Sequence, residues 1–159
     1  MRNEDNESLD ERSGGAVRSR FGNQTVIVTG GARGTGASHV GGFVDEGASV
    51  IVADVLEEEG EALAAEIGGR AVFHPLDVTS EEQRAATVTA AERVFGSVSV
   101  LVNNAGILAT GRIEQMDLKT WQRVLDVNLT GQFFGMRAAI ASMRKAGGGS
   151  IVNVSSVTA

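Results

Sequence analysis

From residue 24 onward this chain repeats one phrase, a short apolar run followed by a longer helical stretch. The apolar runs lie at 24–29, 49–54, 70–75, 98–102 and 150–155, and the helical segments at about 36–46, 57–67, 80–95 and 117–145. Runs this short and rich in Val and Ile have the composition of strands buried on both faces. Strands that alternate with helices imply right-handed crossovers and a parallel sheet covered on both sides. The helix at 80–95 shows its start plainly, with Ser80 followed by Glu81, Glu82 and Gln83, a capped first turn whose acids complement the helix dipole. The expected class is α/β, a doubly wound parallel sheet of five strands. Ligands of such sheets sit beyond the carboxyl ends of the strands, near the point where strand order reverses.

The end of the first strand carries the densest signal. Thr25 to Gly36 reads T-V-I-V-T-G-G-A-R-G-T-G, a β-branched run that breaks into glycines at 30, 31, 34 and 36 before a helix begins. Glycines there permit backbone angles and close approaches that a Cβ forbids. A helix N-terminus behind them directs free N–H groups and the positive end of its dipole at an anion. The spacing T-G-x-x-x-G-x-G is neither the G-x-G-x-x-G fingerprint nor a P-loop, which needs Gly-Lys-Ser/Thr. Taken alone, it is equally well read as a plain tight turn.

The second strand decides between these readings. Val50 to Val52 leads into Ala53 and Asp54, and an acid roughly 20 residues after the glycine turn is what the ribose hydroxyls of a dinucleotide require. The alternative is that Asp54 only caps the following helix. Glycine turn and acid together favour a bound dinucleotide and a Rossmann-type fold.

Composition sets limits on other functions. The net charge of −6 provides no basic footprint for nucleic acid. With no cysteine, a disulfide framework and a thiolate-ligated metal site are both excluded. The two histidines, His39 and His74, do not cluster, so both are expected to be structural and no metal is expected. No segment has the length and apolarity of a membrane span, and the expected setting is soluble and cytoplasmic. Residues 1–22 are mixed polar and charged, with Leu9, Ala16 and Val17 almost the only interior apolar residues. They are expected to form a disordered tail rather than a signal or transit peptide, with the folded domain spanning 23–159.

Three further strand ends are informative as a set. Leu76-Asp77-Val78 follows the third strand, Asn103-Asn104-Ala105-Gly106 the fourth and Ser155-Ser156 the fifth. Individually, Asp77 reads as a helix cap, the asparagines as turn residues and the serines as ordinary. In order, one set per strand, they are hard to explain so blandly. The segments T-G-G-A-R-G-T-G at 29–36, A-D-V at 53–55, L-D-V-T at 76–79, N-N-A-G at 103–106, V-N-L-T-G at 127–131 and G-S-I-V-N-V-S-S at 149–156 resemble the classical short-chain dehydrogenase/reductase family. The resemblance runs from about Gly22 to Ala159. The phrase A-D-V-L-E-E-E-G is similar to the bacterial 3-alpha/20-beta-hydroxysteroid dehydrogenase branch.

The resemblance implies a role for each matching position. Gly30, Gly34 and Gly36 would shape the pyrophosphate turn, with Arg33 and Thr35 lining it. Thr35 departs from the Ile or Leu usual in the family. Asp54, with Val55 behind it, would hold the adenosine ribose, and Asp77 with Val78 would frame the adenine. Asn104, Ala105 and Gly106 would close the site along the adenine ribose and stabilise the central strand. Asn128 resembles the asparagine whose backbone organises a proton-relay water, and Ser156 the serine that hydrogen-bonds the substrate oxygen. Implied with these is hydride transfer between NAD(H) and a secondary alcohol or ketone, a hydroxysteroid among the candidates, in a homo-oligomer.

Two features qualify that expectation. Arg33 could accompany a 2′-phosphate, but Asp54 is followed by Val55, Leu56, Glu57, Glu58 and Glu59; like-charge repulsion favours NAD over NADP. The family's catalytic Tyr-x-x-x-Lys is absent: there is no tyrosine, and only three residues follow Ser156. The expectation is therefore a fragment that binds cofactor with little or no turnover, its fifth strand an uncovered edge and its 117–145 helix too apolar for one buried face. A stand-alone NAD-binding module is the alternative. A methyltransferase also places an acid after the second strand, but N-N-A-G and S-I-V-N-V-S-S argue against it.

Overall fold

The computed structural model describes residues 19–156. Five strands, β1 (Thr25–Thr29), β2 (Ser49–Asp54), β3 (Ala71–Pro75), β4 (Val98–Asn103) and β5 (Ser150–Asn153), form one parallel sheet in the order β3-β2-β1-β4-β5. Three helices cross between them, α1 (Gly34–Asp45), α2 (Glu57–Ile67) and α3 (Glu81–Phe95). The connection from β4 to β5 holds α4 (Leu118–Leu125), one π-helical turn (Asp126–Thr130) and α5 (Gly131–Lys145), with a short 3-10 turn (Ile113–Gln115) before them. Strand order reverses between β1 and β4, so the crevice of a doubly wound sheet opens there.

Each strand deals its side chains alternately to the two faces. Val26, Val28, Val50, Val52, Val100 and Val102 build one core with Val40 of α1 and Ala64 of α2. Ile27, Ile51, Ala53 and Leu101 build the other with Ala91 of α3 and Ala139 and Met143 of α5. The register sets Val26 beside Val50 and Ile27 beside Ile51, so like faces align in both layers. The caps follow the sequence. Ser80 Oγ accepts the Gln83 amide at 3.2 Å, and Asp117 accepts the Thr120 amide at 2.9 Å and its hydroxyl at 2.8 Å.

The structure differs from the sequence reading in four places. The first helix starts at Gly34, so Gly34 and Thr35 belong to its first turn. The segment read as one helix over 117–145 carries the π turn in its middle. Strand pairing of β5 ends at Asn153, although the Val154 amide still reaches the Asn103 carbonyl at 3.0 Å. The tail expected over 1–22 lies outside the described residues up to 18, whereas residues 19–22 turn onto the domain. There Phe21 meets Phe43 edge-on at 4.9 Å, and Arg20 pairs with Glu46 at 2.7 Å.

β5 forms one edge of the sheet. Val152 and Val154 are 47% and 37% exposed, while Ile151 stays half-buried against the second core. On the connecting helices Trp121, Leu129, Phe133 and Ile140 are exposed, so the apolar excess read in 117–145 is indeed not absorbed by one buried face. No described helix is long and apolar enough to cross a membrane.

Candidate functional site

A cavity of about 980 Å³ opens beyond the carboxyl ends of β1, β2, β3 and β4. Its floor is the turn after β1. Gly30 stands at φ +64, and a Cβ on Gly36 would fall 1.9 Å from the Gly30 carbonyl oxygen. The helix can therefore approach the turn this closely only with glycine at 36. Arg33 occupies the N-cap position of α1 without offering a side-chain cap, so its N–H groups face the cavity uncapped. Those groups and the dipole behind them make an anion cradle. Gly30, Arg33, Gly34, Thr35 and Gly36 all line it.

Asp54 forms the wall at the end of β2. It is 8% exposed. One carboxylate oxygen accepts the Ala32 amide at 3.0 Å, and the other accepts Val55 and Leu56 at 2.8 and 3.2 Å. The bond to Leu56, at the N-cap of α2, fits the helix-capping alternative, yet the same carboxylate lines the cavity and braces the glycine turn. Val55 lies beside it, 62% exposed.

Asp77 and Val78 line the wall after β3. Asp77 is not the cap of α3, since Ser80 is; its carboxylate instead accepts the Thr79 amide and hydroxyl at 2.9 and 2.8 Å. Gln83 reaches back to accept the Asp77 amide at 2.7 Å. Val78 is buried.

Asn104 works as a latch. Its side-chain amide donates to the Thr29 and Gly30 carbonyls at 3.0 and 3.1 Å, while the Asn104 and Ala105 amides donate to Thr29 Oγ1 at 3.1 and 3.2 Å. The turn after β4 is thereby tied to the turn after β1, with Ala105 and Gly106 on the cavity surface. Asn128 sits inside the π turn. Its Oδ1 accepts the Ile107 amide and its Nδ2 donates to the Ile107 carbonyl, both at 2.8 Å, so its side chain is committed to holding the loop beyond Gly106. Ser156 lies past the end of β5, at the same carboxyl edge of the sheet, and does not line the cavity. Neither His39 nor His74 lines it.

Several cavity residues escape sequence reasoning. Lys119, Gln122, Arg123 and Asp126 line the side formed by α4 and the start of the π turn; their spacing is that of a single helical face, the signal that could have marked them. Asn103 and Arg84, both buried polar residues, support the site from behind. Burial pushes the Arg84 guanidinium down to about 10, with the nearby Asp77 charge opposing, so it remains charged at neutral pH.

The sequence model of the family described as short chain dehydrogenase matches residues 24–159. A 3-alpha-(or 20-beta)-hydroxysteroid dehydrogenase of Mycobacterium tuberculosis is 53% identical over 141 residues, covering 89% of this chain and 54% of that protein. Trans-4-hydroxycyclohexanecarboxylate dehydrogenase of Sinomonas cyclohexanicum is 46% identical over 150 residues, covering 89% and 58%. A 3-beta-hydroxysteroid dehydrogenase of Comamonas testosteroni is 40% identical over 142 residues, covering 89% and 56%. The chain thus spans about half the length of these curated relatives.

Proposed function

This chain belongs to the short-chain dehydrogenase family, and on that premise we propose that it is the cofactor-binding part of an NAD-dependent dehydrogenase acting on a secondary alcohol or ketone. A hydroxysteroid is the favoured substrate, from the 53% identity to the mycobacterial enzyme. The observation that carries the cofactor reading is the pairing of an uncapped helix N-terminus with Asp54 across one cavity. Glycine at 36 lets the α1 N-terminus close on the turn, since a Cβ there would strike the Gly30 carbonyl oxygen, and the cradle so formed suits a pyrophosphate.

In this reading the α1 N-terminus and Arg33 hold the pyrophosphate, with Gly30, Gly34, Thr35 and Gly36 letting it approach. Asp54 accepts a ribose hydroxyl with the lone pair its three amide partners leave. That carboxylate and the acids Glu57, Glu58 and Glu59 in the first turn of α2 disfavour a 2′-phosphate, hence NAD over NADP. Val55, Asp77 and Val78 flank the adenine, and Asn104, Ala105 and Gly106 close the far side. NAD, when bound, supplies the hydride acceptor or donor.

Among the chain's own groups, Ser156 hydrogen-bonds the substrate oxygen. The Asn128 side chain is spent on Ile107, so what remains for orienting a proton-carrying water is its peptide group. Neither supplies the proton: a serine hydroxyl is too weak an acid near neutral pH, and these 159 residues contain no tyrosine. We therefore expect this stretch to bind cofactor with little or no turnover. A binding module without turnover is the second reading, favoured by a cradle whose parts all lie between Gly30 and Val127. The apolar residues left exposed on α4 and α5 support a homo-oligomer in either case.

The test is titration of NADH and NADPH into the purified chain, followed by nicotinamide fluorescence, with Asp54→Ala as control. Saturable NADH binding, tighter than NADPH and weakened by Asp54→Ala, is the expected result. A folded chain that binds neither would end the proposal.

A further inference from the structure

Arg84 is 3% exposed, and a buried charge is costly unless its donors are satisfied. No ion pair among the described residues includes it. Its bonds go instead to three neutral oxygens, each on a different segment of the site. Nε donates to the Val78 carbonyl at 3.4 Å, one terminal nitrogen to Asn103 Oδ1 at 3.2 Å and the other to the Gly131 carbonyl at 2.7 Å.

Those three acceptors are not arbitrary places. Val78 belongs to the cavity wall after β3. Gly131 is the residue whose amide closes the π turn onto the Asp126 carbonyl, and that turn carries Asn128. Asn103 ends β4, directly before Asn104, and its Nδ2 donates onward to Asn153 Oδ1 of β5 at 2.9 Å. The helix opposite is cut away to admit the guanidinium. A Cβ on Gly135 would lie 2.9 Å from its terminal nitrogen and 2.5 Å from Asn103 Oδ1, and a Cβ on Gly131 would lie 3.1 Å from the Val78 carbonyl oxygen. Gly135 thus makes room for the guanidinium from α3, and Gly131, one turn earlier, for the Val78 wall.

We propose that Arg84 is a positioning residue: its guanidinium fixes the π turn that bears Asn128 to the ends of β4 and β5 and to the Val78 wall. The consequence for cofactor binding rests on the nicotinamide reading above; the consequence for the π turn does not. A planar fork with five donors serves three divergent acceptors at once, which a lysine ammonium on its flexible stem cannot match in geometry.

Hydrogen exchange on the full 159-residue chain separates positioning from general core stability. In Arg84→Lys and in Gly135→Ala, which displaces the guanidinium while keeping it, the Ile107 and Gly131 amides are expected to exchange at least about tenfold faster, the signature of a local opening. The Val50 and Gly30 amides, bonded to Arg70 and Ala53, are expected to keep their protection. Acceleration confined in this way in either variant carries the proposal. Equal acceleration at all four amides in both, or none in both, overturns it. NADH titration reads the consequence, a Kd raised about tenfold by the displaced loop. If the wild-type chain binds no NADH yet a variant shows the confined pattern, the positioning role stands and the cofactor reading falls. If wild type and both variants bind alike with no confined acceleration, the positioning role falls alone.

Discussion

Around the glycine turn the site is shaped by backbone and by the lack of side chains; across the cavity, side-chain amides and a guanidinium do the shaping. On the first side, β1 is wholly buried, Gly36 touches the Gly30 carbonyl, and Asp54 is held by three backbone amides. On the second, the side chains of Asn103, Asn104, Asn128 and Arg84 tie the ends of β1, β4 and β5 to the π turn and the Val78 wall. A backbone-built cradle tolerates almost no added atom at Gly30 or Gly36. A network of side chains tolerates small steric changes, yet each member's loss leaves another buried group unsatisfied.

The largest test of this contrast is Gly36→Ala. Alanine normally improves a helix by about 1 kcal/mol over glycine, but here the methyl overlaps the Gly30 carbonyl oxygen. NADH affinity is expected to fall by more than about a hundredfold, read by fluorescence titration with circular dichroism as the folding control. Normal binding would show that the cradle yields, and the contrast would collapse. Asp54→Asn comes next. It preserves shape and one acceptor oxygen while removing charge, so NADH affinity is expected to drop about tenfold, about 1.4 kcal/mol, and the preference over NADPH to shrink. An unchanged preference would assign discrimination to Glu57–Glu59 instead.

Val152→Lys probes the uncovered edge of β5. A lysine there is expected to suppress concentration-dependent light scattering and leave NADH binding within about twofold, since Val152 does not line the cavity. Loss of binding would tie the edge to the site. The smallest effect concerns Glu92, which accepts from Ser142 at 2.7 Å and Lys145 at 3.1 Å and joins α3 to α5. The Ser142 hydroxyl, and then Lys145, hold its carboxyl below the ordinary value of 4.5. Folding stability from this group is fully present above 4.5 and lost as pH falls through the lower folded value. Glu92→Gln is therefore expected to lower Tm by only about one or two degrees at pH 7, the pair being screened by solvent, with the difference vanishing in acid. A difference that persists below pH 3 would point to packing rather than charge.

The same division decides what could be read in advance. The glycine turn, Asp54 and the strand ends are local patterns, visible because strand periodicity and glycine punctuation need no knowledge of distant partners. The π turn is hidden because 117–145 reads as one amphipathic helix; the extra residue shows only in its bonds. Arg84 lies in an ordinary-looking helix whose polar residues suggest solvent, and its partners Asn103 and Gly131 lie 19 and 47 residues away. The capping bonds of Asp54 and its place in the cavity wall are both present, so neither local reading of that residue was complete.

The Asn104 latch also sets a timetable. Its amide closes the glycine turn from 74 and 75 residues downstream, a contact that must wait for a long loop to close. On a ribosome, a nascent chain that has released β1 to β3 but not β4 holds the glycine turn without its fastening. On the cofactor reading proposed above, nucleotide affinity would therefore arise late, once β4 has paired with β1.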